Sequence, residues 1–142
     1  MKLSADDKHN VKAIWEHVKG HEEAIGAEAL CRMFTSLPTT RTYFPTKDIK
    51  EGSSFLHSHG KKVMGALSNA VAHIDDIDGA LSKLSDKHAE ELMVDPANFP
   101  KLAHNILVVL GIHLKPHLTY SVHSSVDKFL ATVGYVLASK YR

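Results

Sequence analysis

Apolar residues in this chain recur three and four positions apart and do not keep the two-residue alternation of a half-buried strand, so the sequence directs the chain toward packed helices. Ser4-Ala5-Asp6-Asp7 reads as a capping box, with Asp where Glu or Gln is usual, and starts a first helix. Val11, Ile14, Trp15 and Val18 form its stripe, and Gly20 interrupts it. A second stripe of Leu30, Met33, Phe34 and Leu37 is ended by Pro38. Residues 38–53, with Pro38, Pro45 and Gly52, read as a short helix and loop. A long helix is expected from about Ser53 to His73, with Phe55, Val63, Ala66, Leu67 and Ala70 on one side. The stretch Asp75-Asp76-Ile77-Asp78-Gly79 breaks it, and Leu81, Leu84 and Leu92 mark a shorter helix. Asp95-Pro96 offers a cap followed by a first-turn proline, although Pro100 blurs that start. Phe99, Leu102, Ala103, Ile106, Leu107 and Leu110 carry the next helix toward Pro116. Val122, Val126, Phe129, Leu130, Val133 and Leu137 carry the last. The expected class is therefore all-α, with six main helices and some short ones, and no sustained heptad of the kind a coiled coil needs.

The length of 142 residues suits one domain covering 1–142. Basic and acidic side chains nearly balance, 17 against 16, and form no basic block, so neither nucleic acid nor an acidic membrane surface is an expected partner. The apolar runs fall short of the roughly 20 residues that span a bilayer. Lys2 to Asp7 turn polar and acidic at once, unlike a secretory signal. One cysteine, Cys31, excludes an internal disulfide and a cysteine-based zinc site, and intracellular residence is the simple expectation.

Eleven histidines are the unusual feature, and position must separate them. His59 falls on the apolar stripe of the long helix, and His88 falls on the stripe of Leu81, Leu84 and Leu92. Both therefore point inward with their apolar neighbours. A buried imidazole without a partner costs on the order of 1–3 kcal/mol. One reading is a pair of satisfied core histidines, and His73, near the same stripe, shows how easily that arises. The other is a shared buried ligand that is large, flat and apolar and carries one metal in need of an axial ligand, namely haem. The pairs His17/His21 and His113/His117 have helical metal spacing but are interrupted by Gly20 and Pro116. No HExxH, GxSxG, GxGxxG or Walker pattern occurs, so hydrolase, dinucleotide and phosphate-binding readings lack support.

Longer strings decide between the two readings. Arg32-Met33-Phe34, Thr42-Tyr43-Phe44-Pro45, His59-Gly60-Lys61-Lys62-Val63, Leu84-Ser85-Asp86-Lys87-His88 and the ending Ser139-Lys140-Tyr141-Arg142 resemble the alpha-type chains of the vertebrate haemoglobins, within the globin family. The likeness covers the whole chain. It implies a globin fold of about seven to eight helices around a haem b pocket, iron protoporphyrin IX being the cofactor. It implies that His88 is the proximal iron ligand, and that His59 is the distal histidine that donates to O2, with Val63 crowding the same side. Tyr43, Phe44, Lys62, Leu67, Leu84, Leu92, Val94, Asn98, Phe99, Leu102, Val133 and Leu137 match positions that line the pocket. The chain departs from the common pattern at Thr46, Lys47, Lys87 and Met93.

The resemblance also implies reversible oxygen transport, with no enzyme activity, in an α2β2 tetramer with beta-type chains in the red-cell cytoplasm. Thr39, Thr42, Tyr43, Asp95 and Asn98 match the sliding contact between αβ dimers. Arg32, His104, His123 and Asp127 match the tighter αβ contact or the chain-end network, in which Tyr141 and Arg142 hold the low-affinity state. The competing reading is a haem enzyme, a peroxidase or nitric-oxide dioxygenase. That chemistry wants more polar distal groups or a reductase domain, for which the chain has no length to spare.

Overall fold

The computed structural model describes residues 2–44, 47–92 and 95–140, without the side chains of Glu91 and Leu92. Val94, Tyr141 and Arg142, expected at the pocket and the chain-end contacts, lie outside the described residues, as do Thr46, Met93 and the side chain of Leu92.

Six α-helices carry the described fold. They are α1 (Ala5–Val18), α2 (Glu22–Ser36), α3 (Ser54–Ala72), α4 (Ile77–Lys87), α5 (Asn98–His113) and α6 (Tyr120–Ala138). Short 3-10 turns run over Pro38–Tyr43 and Lys115–His117, and one π-helical turn continues α4 over His88–Leu92. No strand occurs among the described residues.

The helix starts follow the local chemistry. The Ser4 hydroxyl accepts from the Asp7 amide at 3.1 Å, and Asp7 Oδ2 accepts from the Ser4 amide at 3.0 Å, which completes the expected capping box. Asp7 does more than cap. Its other oxygen accepts from the buried Ser125 hydroxyl of α6 at 2.8 Å, and Lys128 Nζ lies 3.4 Å from Oδ2. The Ser4 amide and these partners hold its carboxyl down to about 2. The Ser53 and Thr119 hydroxyls cap α3 and α6 one way only, accepting from the Leu56 and Val122 amides.

Two boundaries differ from the sequence reading. The break before α4 is shorter, because Asp76 Oδ1 accepts from the Gly79 amide at 3.1 Å and so caps the helix from within the acidic stretch. At α5, Asp95 Oδ1 closes a turn on the Ala97 amide at 2.9 Å, and the helix begins only at Asn98. Pro100 then stands in the first turn, where a missing N–H costs no intrahelical bond.

The stripes fill one main core. Val11, Ile14, Trp15 and Val18 meet Val126, Phe129 and Val133, with Trp15 edge-on to Phe129 at 5.7 Å between centroids. Each such fully buried side chain contributes roughly 1.5–3 kcal/mol. On α3 the periodicity hides a second buried face. Leu56, Gly60, Met64 and Val71 pack inward, whereas His59, Val63 and Ala66 turn toward a cavity and Leu67 serves both. What lets α3 come so close to α2 is glycine. A Cβ on Gly60 would run into the backbone of Gly26 and Ala27, and a Cβ on Gly26 would run into Gly60. This crossing fixes the height of His59, the residue before Gly60.

Candidate functional site

A cavity of about 400 Å³ opens between α3, α4, α5 and α6. His59 reaches it from α3 and His88 from the end of α4. Val63, Leu67, Leu84, Leu102, Val133 and Leu137 supply most of its expected apolar wall. Phe99 and Asn98 line it from α5, and half-buried Phe44 with exposed Tyr43 and Lys62 completes the expected lining. Every pocket residue expected from the sequence whose side chain the structure describes thus lines one space.

The two imidazoles are held differently. His88 Nδ1 lies 2.9 Å from the Leu84 carbonyl. A carbonyl can only accept, so Nδ1 carries the proton and Nε2 carries the lone pair, the form that can bind a metal. Phe99 stands edge-on to the same ring at 5.4 Å. Three residues before His88, the buried Ser85 hydroxyl donates to the Val136 carbonyl at 2.9 Å and lies 3.2 Å from that of Leu137. That bond ties the helix bearing His88 to the end of α6.

His59 sits among rings. Phe55 is stacked on it at 5.4 Å with planes 11° apart, and Phe44 meets it edge-on at 5.3 Å. Burial first, then the Lys62 ammonium and His88, hold the His59 imidazole below its ordinary value. It is therefore neutral at pH 7, with one N–H to donate and one lone pair.

These features fit haem. Among the described residues no three His, Cys, Asp or Glu side chains gather to hold a bare ion. A metal at His88 must then bring its other ligands with it, as a macrocycle does, and the slot offers such a group imidazole nitrogen and an apolar wall.

Sequence reasoning missed several residues. Leu30, Met33, Thr40, Leu81, Ile106 and Leu130 also line the cavity, most of them having been assigned to core stripes without a place at the site. Lys87 lines the mouth while remaining exposed, in keeping with a stem that snorkels. Ser85 was legible only as a small polar residue beside Leu84, and nothing in its spacing marked the bond to α6.

Among the described residues, those expected at interfaces lie apart from the cavity, except Tyr43 and Asn98. Arg32, Thr39, Thr42, Asp95, His104, His123 and Asp127 are all exposed. Tyr43, 40% exposed, accepts from the Asp95 amide at 3.3 Å and so links two of them. Arg32 Nε bonds Glu28 at 2.9 Å, and His113 bonds the other Glu28 oxygen at 2.7 Å.

The model of the Globin family matches residues 27–137. The chain is 85% identical over 142 residues, all of both chains, to a protein named hemoglobin subunit alpha-1 from Pleurodeles waltl. It is 84% identical over 142 residues, again all of both, to hemoglobin subunit alpha from Taricha granulosa. It is 67% identical over 141 residues, 99% of each chain, to hemoglobin subunit alpha from Ambystoma mexicanum.

Proposed function

The chain belongs to the globin family, and we propose that it is an oxygen-carrying alpha-type haemoglobin subunit rather than an enzyme. It carries O2 reversibly on haem and works with beta-type chains. The finer reading is that residues 1–142 form one domain, that the group is haem b, and that two alpha-type and two beta-type chains form the tetramer. No described helix is long and apolar enough to cross a membrane, and the red-cell cytoplasm is the compartment that suits this reading.

The observation that carries the reading is one apolar cavity reached by two imidazoles from separate helices. Bound haem would supply a ferrous iron with one position open to a small gas. The rest is the work of the chain. His88 presents the Nε2 lone pair, fixed in that tautomer by Leu84 and steadied by Ser85. Neutral His59 presents an N–H to whatever enters on its side, and a polarised diatomic gains more from that donor than a less polar one. Val63 narrows the same side, and the Leu and Val walls exclude the water that would promote oxidation of the metal. Exposed Thr39, Thr42, Tyr43 and Asp95 form a surface suited to a partner that slides, and Arg32, His104, His123 and Asp127 one suited to further subunit contact.

The test is an oxygen equilibrium curve of the chain assembled with its beta-type partner, measured at two pH values. Sigmoidal, reversible binding is expected. If His88→Gly keeps haem and gas binding without added imidazole, the reading fails.

A further inference from the structure

Phe55 lies parallel to the His59 ring in an offset stack, yet Phe55 is no part of the cavity wall. The two residues are four apart on α3, the spacing at which helical side chains meet. Helical side chains lean toward the N-terminus, so His59 leans over the turn that bears Phe55. The Phe55 ring is itself held. Phe44 touches it with centroids 5.5 Å apart, and Lys47 Nζ lies over it, 5.8 Å from the centroid, within cation–π reach. Phe34 in turn meets Phe44 edge-on at 5.6 Å, so the group is anchored in a second, smaller core of Ala27, Leu30, Met33, Phe34 and Leu56.

Taking His59 as the distal imidazole, the reading on which this inference rests, we propose that Phe55 is its positioning residue. The stacked face of Phe55, steadied by Lys47 and Phe44, keeps the imidazole over the ligand side of the cavity. It thereby slows the outward swing that would open a path for small gases and water. A ring contact of this kind moves a rate by on the order of two- to tenfold. If Phe55 only filled space in the second core, any apolar side chain of similar bulk would serve as well.

The experiment uses the haem-loaded chain assembled with its beta-type partner, with carbon monoxide as the probe. The C–O stretch reports whether an N–H donor stands beside the gas. The unaltered chain is expected to give mainly the lower-frequency band of a donor in place. Phe55→Leu is expected to add a higher-frequency band and to speed carbon monoxide association by roughly two- to tenfold. Phe55→Tyr, which keeps the stacking face, is expected to restore both. Phe55→Met serves as a second ringless variant should the leucine form hold haem poorly. Unchanged bands and rates in both ringless variants overturn the proposal, and so does a tyrosine variant that behaves like leucine. His59→Leu tells the two roles apart. If it shifts the band while the Phe55 variants do not, only the positioning role of Phe55 falls. If it too leaves the band in place, the reading of His59 as the distal donor falls, and the proposal falls with it.

Discussion

The two sides of the cavity are built from different forces. On the His88 side the anchors are directional. A ring nitrogen bonds the Leu84 carbonyl, and the buried Ser85 hydroxyl bonds across to Val136. Hydrogen bonds of this sort fix both a position and a tautomer. On the His59 side the contacts are faces and edges of Phe55 and Phe44, which fix a position but tolerate sliding and rotation. The contrast suits the two tasks. In the proposed roles, His88 as a permanent metal ligand has to stay, and His59 as a gate has to hold a donor in place and still let a gas pass.

The largest expected effect is on the directional side. His88→Gly should lose haem almost completely on a desalting column, and millimolar imidazole should restore it by filling the vacated volume. The Soret absorbance retained per chain is the measurement. Full retention without imidazole would mean that the two sides do not divide the work as described. Next in size is the crossing that sets the height of His59. Gly60→Ala drives a Cβ into the backbone of Gly26 and Ala27 and should cost about 1–3 kcal/mol as α3 lifts from α2. Gly26→Ala should cost a similar amount. The double variant should cost less than the two together, because a crossing once opened accommodates the second methyl cheaply. Denaturant melts of the three variants test this, and full additivity would argue against one shared contact.

Ser85→Ala should be milder, about 1 kcal/mol, since it removes one buried neutral hydrogen bond without adding bulk. Its diagnostic effect should be on the His88 side alone. The iron–imidazole stretch should broaden while the carbon monoxide bands stay as they were. A change in those bands would show that α4 and the distal rings are mechanically coupled.

Much of the fold and the site is legible in the chain. Helix class, most boundaries and both imidazoles follow from apolar spacing, the Ser4–Asp7 box and the punctuation at Pro38 and Gly20. The role proposed for His88 rests on the resemblance of the longer strings, because a single inward histidine on a stripe has two ordinary explanations. What the spacing could not separate is two inward faces on one helix. Leu56 and Met64 lie one position from Phe55 and Val63, and both sets repeat at helical intervals. The Gly26–Gly60 contact turns the face of Leu56, Gly60 and Met64 toward α2 and leaves His59 and Val63, though not Phe55, at the cavity. Nor could periodicity show that Phe55 stacks on His59 rather than filling core. The i, i+4 spacing permits either, and Phe44 and Lys47, which bias the outcome, come from outside the helix.

The smallest effect is a slope with pH, and it separates the two sides again. An imidazole in the unfolded chain takes up its proton near 6.5, whereas burial, Lys62 and His88 keep the folded His59 neutral to lower pH. Between those two values the unfolded chain binds more protons than the folded one, so stability is full above 6.5 and declines as pH falls through that window. Asp7 lies in a separate range. Its stabilising contribution is complete above 3.8 and is lost only as pH drops toward about 2. A comparison of the unaltered chain with His59→Leu between pH 7 and pH 5 therefore isolates the distal ring, because the other histidines are common to both. The gap between their unfolding midpoints should shift steadily in favour of the leucine variant as the solution is acidified. Parallel curves would show that the ring cage does not withhold the proton, and that His59 is no more buried in practice than an exposed histidine.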